Sequence, residues 1–360
     1  MRPEIDEFEA YSPGLSTEEI KERFGLSRVV KLASNENPLG ASPLVQDTIS
    51  RLAGQVFRYP RQGSPDLRRR LGAHLDVPEE SLVLGNGSDE IIDLLLRVLG
   101  RPGKDNIVVF EPSFSIYRLQ ARLCGLEVRY VPLNEDFSFP FSEMAHRVDA
   151  NTRLVFATNP DNPSGYAAPA EELLSFAESL PETAFLVIDE AYIDFADQPE
   201  SLSPLRSLAW NESIGLLRTF SKMYGLAGLR LGYGILPHRV ADALHRVKLP
   251  FSVNILAEQA GLAALEDRDF LHRSRDTVLR GKAFLTKGLE RCGCRVSPSQ
   301  ANFLLVRPPK PAQEVHEALL RKGFIVRPLR SYGLPDHLRI SIGRDDENAS
   351  FLQCLEEILA

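Results

Sequence analysis

The chain has 360 residues, of which 43% are hydrophobic and 25% charged; this is an ordinary globular make-up, too long for a single core, so two domains are expected. Its formal net charge of -7 argues against a nucleic-acid or membrane-surface binder. No apolar run is long enough to span a bilayer, and the opening stretch MRPEIDEFEAYSPG is polar and acidic, so neither a membrane span nor a leader segment is expected.

The segment up to about Pro43 carries few strand signals and reads as an arm. SLVLGNGSDEIIDLLLRVLG is a short strand, a glycine-rich turn and a helix, and DNIVVFEPSFSIYRLQARLCG repeats that order. TRLVFATNPDNPSG is a strand ending in a Pro/Asn/Gly loop, EELLSFAESL a helix, and TAFLVIDEAY a buried strand with carboxylates at its carboxyl end. SIGLLRTFSK and LRLGYGIL predict two more strands. Continuous apolar strands alternating with helices imply a mostly parallel sheet covered on both faces. The pattern changes near Pro250. One or two long helices run from Val253 to about Arg291; strands NFLLVR, FIVRPL and HLRISIG follow with a helix AQEVHEALLRKG among them, and a helix closes the chain. The expected division is an arm at 1–43, a large α/β domain at 44–250 and a smaller α+β domain at 251–360.

The four cysteines, Cys124, Cys292, Cys294 and Cys354, have no framework spacing, and the seven histidines are scattered. They read as reduced thiols of a cytoplasmic protein, with no metal site.

In open parallel sheets, ligands bind beyond the carboxyl ends of the strands. Polar punctuation falls at those ends in four places: Gly85 to Asp89, Asn159 to Gly165, Asp189 to Tyr192 and Thr219 to Lys222. In GNGSDE, the residues Gly87, Ser88 and Asp89 suit a phosphate cradle at a helix N-terminus, or Ser88 or Asp89 is a plain helix cap. The hexapeptide is neither a Walker loop nor a dinucleotide fingerprint, because no G-K-[ST] follows and Glu90 stands where a third glycine would be. Asp189 suits a metal ligand, a helix cap or the partner of a cationic ring nitrogen. Lys222 either snorkels to water or loses its proton among apolar neighbours, with Thr219, Ser221 and Arg230 supplying anion donors beside it. Arg327 and Arg339, in apolar strand runs, serve a structural ion pair or form a fork for an anionic substrate.

Taken in order, YSPG, KLASNENPLG, FRYP, GNGSDEII, PSFSIY, NPDNPSG, VIDEAY, TFSKMYGLAGLRLGYG, QANFLLVR, IVRPL and LRISIG resemble the fold-type-I pyridoxal-phosphate (PLP) aminotransferases, and within that superfamily the histidinol-phosphate group. The resemblance spans nearly the whole chain. It implies the PLP-dependent transferase fold, with a large domain of mostly parallel sheet flanked by helices and a smaller α+β domain. It also implies transamination between L-histidinol phosphate and 2-oxoglutarate, a step of histidine biosynthesis. Related scaffolds transaminate aromatic amino acids or decarboxylate threonine phosphate.

By the same resemblance Lys222 carries the cofactor covalently and then serves as general base and acid, and Asp189 pairs with the ring nitrogen. Tyr192 and Asn162 bond the ring's phenolic oxygen, and Phe114 stacks on the ring. Gly87, Ser88, Asp89, Thr219, Ser221 and Arg230 hold the phosphate. Tyr59 reaches the cofactor of the neighbouring subunit in a homodimer. Arg327 and Arg339 hold the substrate's anionic end, and Tyr11 and Asn35 line the substrate side. Asp161 and Ser164 depart from the usual residues of that loop but leave Asn162 and Gly165 in place. A ligand sensor with a DNA-binding domain of its own is disfavoured, since about 40 residues precede the cofactor domain.

Overall fold

A computed structural model describes Ile5 and residues 16–360. Among the described residues, twelve strands form two sheets. In chain order they are β1 (Val30–Leu32), β2 (Leu82–Asn86), β3 (Asn106–Glu111), β4 (Glu127–Pro132), β5 (Thr152–Thr158), β6 (Phe185–Asp189), β7 (Ile214–Thr219), β8 (Leu231–Ile235), β9 (Arg295–Val296), β10 (Phe303–Arg307), β11 (Phe324–Pro328) and β12 (Leu338–Ser341).

The larger sheet has the order β2-β8-β7-β6-β5-β3-β4. All its neighbours are parallel except β8, which runs against both β2 and β7. The apolar runs make this possible, because successive side chains go to opposite faces and both faces are buried. Leu186 and Ile188 of β6 join one core, while Phe185 and Val187 join the other. Helices Ser88–Leu99, Ser115–Leu123 and His238–Val247 cover the second face with Ile91, Ile92, Tyr117, Ala121 and Leu244. Strand β4, absent from the sequence reading, is the half-exposed edge and carries Arg129, which is why its apolar signal is weak.

The smaller sheet has the order β1-β11-β12-β10-β9. The N-terminal segment supplies its edge: β1 runs parallel to β11, with Val30 opposite Phe324. The arm is thus partly a strand of the small sheet. The long helical stretch is two helices, Ile255–Glu266 and Arg268–Arg291. Asn254 caps the first by accepting from the Ala257 N–H at 2.8 Å, and Asp267 caps the second by accepting from Phe270 N–H at 3.1 Å. The first lies against helices Pro43–Leu52 and Pro65–Leu75 on the large sheet's side, so the chain passes to the small sheet along the second. No helix among the described residues is long and apolar enough to cross a membrane.

Asn86, Thr158, Asp189 and Thr219 are the last residues of β2, β5, β6 and β7. Arg230 immediately precedes antiparallel β8. Topology therefore delivers all five to one end of the sheet.

Candidate active site

The β2 turn starts the helix Ser88–Leu99 with Gly87 at the N-cap, at φ 73°. Ser88 and Asp89 occupy the first turn, and no side chain caps the helix end from the N-cap. Gly87 N–H donates to Arg230 O at 2.9 Å, so the glycine contributes space rather than a donor. A Cβ there would lie 2.5 Å from Arg230 Nη2. The first helical N–H groups have no intrahelical acceptor and point out of the helix, with the positive end of its dipole behind them. Gly232 lets β8 run close below: a Cβ on it would sit 2.3 Å from Ser88 N. Arg230, left-handed at φ 57°, places its guanidinium over this turn and binds Asp89 Oδ2 at 3.1 Å. Thr219 and Ser221 are buried alongside; Ser221 N–H donates to Thr219 Oγ1 at 3.0 Å.

Asp189 is 3% exposed. Its Oδ2 accepts from Tyr117 Oη at 2.8 Å and its Oδ1 from Ala191 N–H at 3.1 Å. Burial pushes its pKa up to about 6; the Tyr117 and Ala191 bonds oppose that rise, and Asp89 and Glu190 add repulsion. One oxygen thus braces the next turn, but no group of three metal-ligating side chains exists among the described residues. Tyr117 also meets Thr158 Oγ1 at 2.8 Å and stacks on Phe156. The sequence reading missed Tyr117 and Thr158. The available signal was helical spacing, since Tyr117 follows Phe114 by three residues and touches it edge to face at 5.6 Å.

Lys222 is half-buried and does not reach for water. Its Nζ donates to Ser34 O at 3.1 Å and lies 5.7 Å from the Tyr192 ring centre. Its pKa is pushed down to about 8, chiefly by burial and next by the Arg339 charge, with Glu36 opposing. Lys222, Tyr192, Asn162, Phe114 and Asn35 line one cavity of about 110 Å³ together with Arg327 and Arg339. Tyr332, on the turn between β11 and β12, lines it too. Its place in a loop gave the sequence reading no pattern to detect.

Asn35 sits in the left-handed region at φ 55° and is buried. Its N–H donates to Ser341 Oγ, its carbonyl accepts from Asn302 Nδ2, and its Nδ2 donates to Tyr192 Oη at 3.2 Å. The arm is therefore bonded to both sheets. Burial pushes the Tyr192 phenol up to about 12, opposed by Arg339 and by the Asn35 bond. Arg339 is 7% exposed. It donates to Asn162 Oδ1 and to Ala33 O, while its Nε has no partner among the described residues. Its partners are an amide and a carbonyl, not a carboxylate. Arg327 is its register partner across the strand pair. In the loop before Asn162, Asp161 Oδ2 accepts from both Ser164 N–H and Ser164 Oγ, so the two departures from the family pattern brace each other.

Tyr59 does not join its own chain's cavity. It is 81% exposed and stacks on Phe251 at 4.7 Å. Tyr11 lies outside the described residues.

The arrangement offers an amine of lowered basicity, a buried carboxylate with no ion-pair partner among the described residues, a helix N-terminus open to an anion, and two arginines facing one cavity. Comparison with known proteins finds relatives over the whole length of the chain. A histidinol-phosphate aminotransferase of Nitratidesulfovibrio vulgaris (strain Hildenborough) is 55% identical over 359 residues, covering 100% of this chain and 96% of the relative. One from Shouchella clausii is 41% identical, covering 99% and 97%. The crystal structure of histidinol-phosphate aminotransferase from Sinorhizobium meliloti in complex with pyridoxal-5'-phosphate superposes with a TM-score of 0.90 at 27% identity, covering 100% of this chain and 97% of that one. The sequence pattern described as aminotransferase class I and II matches residues 27–355, and the chain belongs to that family.

Proposed function

We propose that this chain transfers the amino group of L-histidinol phosphate to 2-oxoglutarate, giving imidazole-acetol phosphate and glutamate, with pyridoxal 5'-phosphate as cofactor. The observation that carries the reading is the half-buried Lys222 amine, its pKa near 8, sharing one cavity with two register-paired arginines. The full-length relatives that bear this activity in their names support the substrate.

The residues fit the cofactor. The turn at Gly87 has room for a phosphate only because a Cβ is missing, and Ser88, Asp89, Thr219, Ser221 and Arg230 surround it. Asp189 is a buried carboxylate whose raised pKa calls for a positive group beside it. When bound, PLP supplies an aldehyde that takes up amines and a ring that withdraws electrons. Lys222 would hold the cofactor and, with its amine free, would take the proton from the donor's α-carbon as a general base. Asp189 keeps positive charge on the ring nitrogen, held in line by Tyr117. Phe114 covers a ring face, and Asn162 and Tyr192 present an amide and a phenol to its oxygen. Arg327 and Arg339 take the phosphate of one substrate and the carboxylates of the other, a double task that guanidinium forks allow. Asn35 would close the substrate side.

On this reading the chain works as an arm, a large domain and a small domain divided near residues 43 and 250. It acts as a homodimer in which Tyr59 reaches the partner's cofactor phosphate. The exposed apolar side chains of Val56, Phe57, Tyr59, Leu249 and Phe251 support a covered face there.

The test is a half-reaction. Purified protein carrying PLP is mixed separately with histidinol phosphate, phenylalanine, tyrosine or glutamate, and the visible absorption of the cofactor is followed. Bleaching fastest with histidinol phosphate is expected. Preference for phenylalanine would move the substrate to aromatic amino acids, and carbon dioxide release from a phosphorylated amino acid without keto-acid consumption would replace transfer by decarboxylation.

A further inference from the structure

The phosphate turn has an attachment that none of the roles above uses. Glu90 sits in the first turn of the helix that follows Gly87. Its Oε2 turns back to accept from the backbone N–H of Asn86 at 2.6 Å, bracketing the Asn86–Gly87–Ser88 turn from below. The same oxygen accepts from Ser252 Oγ at 2.9 Å. Asn86 Nδ2 in turn donates to Ser252 O at 3.2 Å, so Ser252 is joined both to Asn86, where the turn begins, and to the Glu90 side chain that holds it. Lys248 adds its ammonium, bonded to Ser252 Oγ and 3.9 Å from Glu90 Oε2. The Glu90 and Lys248 side chains are only 17% and 12% exposed, where such charge-assisted bonds hold geometry best.

Ser252 directly follows Phe251. Phe251 has φ 62°, a conformation that a bulky side chain enters only when its surroundings impose it. Its ring stacks on Tyr59. The chain of contacts is therefore continuous: phosphate turn, Glu90, Ser252, Phe251, Tyr59. One end holds this subunit's anion, and the other is the side chain proposed to reach the partner's.

We infer that Glu90 and Ser252 are positioning residues. They fasten the phosphate turn of one subunit to the Phe251–Tyr59 stack that the subunit lends to its partner, so that the two phosphate sites of a dimer are set together. This rests on the PLP and homodimer reading given above. Neither residue touches the cofactor; each acts through the backbone it holds.

The test is PLP retention by the full-length holoenzyme, measured by equilibrium dialysis, for Glu90→Gln, Ser252→Ala, Phe251→Ala and the pairwise combinations. Glu90→Gln and Ser252→Ala are each expected to weaken PLP binding roughly tenfold, as loss of one hydrogen bond to a charged group implies, and Phe251→Ala, which removes the ring stacked on Tyr59, is expected to weaken it in the same direction. The double variants should be little worse than the weaker single, because all three cut one linkage. Ser252→Thr, which keeps the hydroxyl, should restore wild-type retention, and kcat at saturating PLP should change far less than retention does. Wild-type retention in Glu90→Gln and Ser252→Ala overturns the inference, as do effects of Ser252→Ala and Phe251→Ala that simply multiply. A wild-type protein that binds no PLP or sediments as a monomer is a different result: it removes the reading on which the inference stands.

Discussion

Arg327 and Arg339 are direct partners across the antiparallel pair β11–β12, so their side chains leave the sheet on the same face. Like charges directly opposite each other are destabilising, and more so with Arg339 buried. Both line the cavity that also holds Lys222, where a bound anion would meet both. Replacing Arg339 with lysine keeps the charge but removes the planar fork. A loss of about 10- to 100-fold in kcat/KM is expected for both the phosphorylated donor and 2-oxoglutarate, the range for hydrogen bonds to charged groups. Steady-state kinetics on both substrates checks it; an effect confined to one substrate would mean that the arginines are not shared.

Lys222 sets a pH dependence. Its folded pKa, near 8, lies below the ordinary lysine value, so the ammonium is the disfavoured form and the reactive amine predominates above about pH 8. The rate at which the cofactor-free protein takes up PLP covalently is expected to climb about tenfold per pH unit below that point and to level off above it. Stopped-flow absorbance across pH 6 to 10 reads this directly, and Lys222→Ala should abolish the signal at every pH.

Tyr117→Phe removes the hydroxyl that donates to Asp189 Oδ2. Asp189 has a raised folded pKa, so the folded state binds the extra proton between the ordinary carboxylate range and about pH 6, and stability falls as pH rises through that window. Without the tyrosine the carboxylate is still worse placed, and the window should extend upward. The variant is expected to lose about 1 to 3 kcal/mol at pH 7 and less at pH 4.5. Urea melts of the cofactor-free protein at the two pH values separate this from a uniform packing loss.

Gly232→Ala puts a methyl group where Ser88 N already lies. Backbone on both sides leaves nothing flexible to yield, so a cost of about 1 to 3 kcal/mol is expected, together with weakened PLP retention, because the helix start must move. Gly228→Ala, whose added Cβ meets nothing within 4 Å, is the control and should change neither quantity.

Asp189→Asn tests the carboxylate's charge. An amide of the same shape keeps the Ala191 contact but cannot hold positive charge on a ring nitrogen. A fall in kcat of about 10²- to 10³-fold is expected, the usual scale for losing one preorganised electrostatic group. Near-normal turnover would dismiss the pairing.

Strand ends are easy to find in this sequence because each apolar run stops at a polar residue, and Asn86, Asp189 and Thr219 are those stops. Their convergence follows from parallel topology alone. Strand β4 hides because an edge needs only one buried face and tolerates Arg129. Tyr332 hides because its place in the cavity depends on the turn joining β11 to β12, not on any periodicity. Glu90 reads as one more acid in a helix's first turn, and only the return of residue 252 to the same spot shows what it binds. Tyr59 is legible only as a residue type: the sequence does not show that it lies on the outside of its own chain, stacked on Phe251.

The position of β1 has a consequence for biogenesis. Val30 to Leu32 leave the ribosome long before Phe324 to Val326, with which they pair. Ser34, whose carbonyl holds the Lys222 amine, and Asn35, which bridges the sheets, are anchored by that pairing. The large sheet can assemble during synthesis, but the cavity around Lys222 is completed only once residues 324–326 are available to pair with β1. A nascent chain stalled before residue 324 should therefore be folded over most of its length and still unable to capture a cofactor.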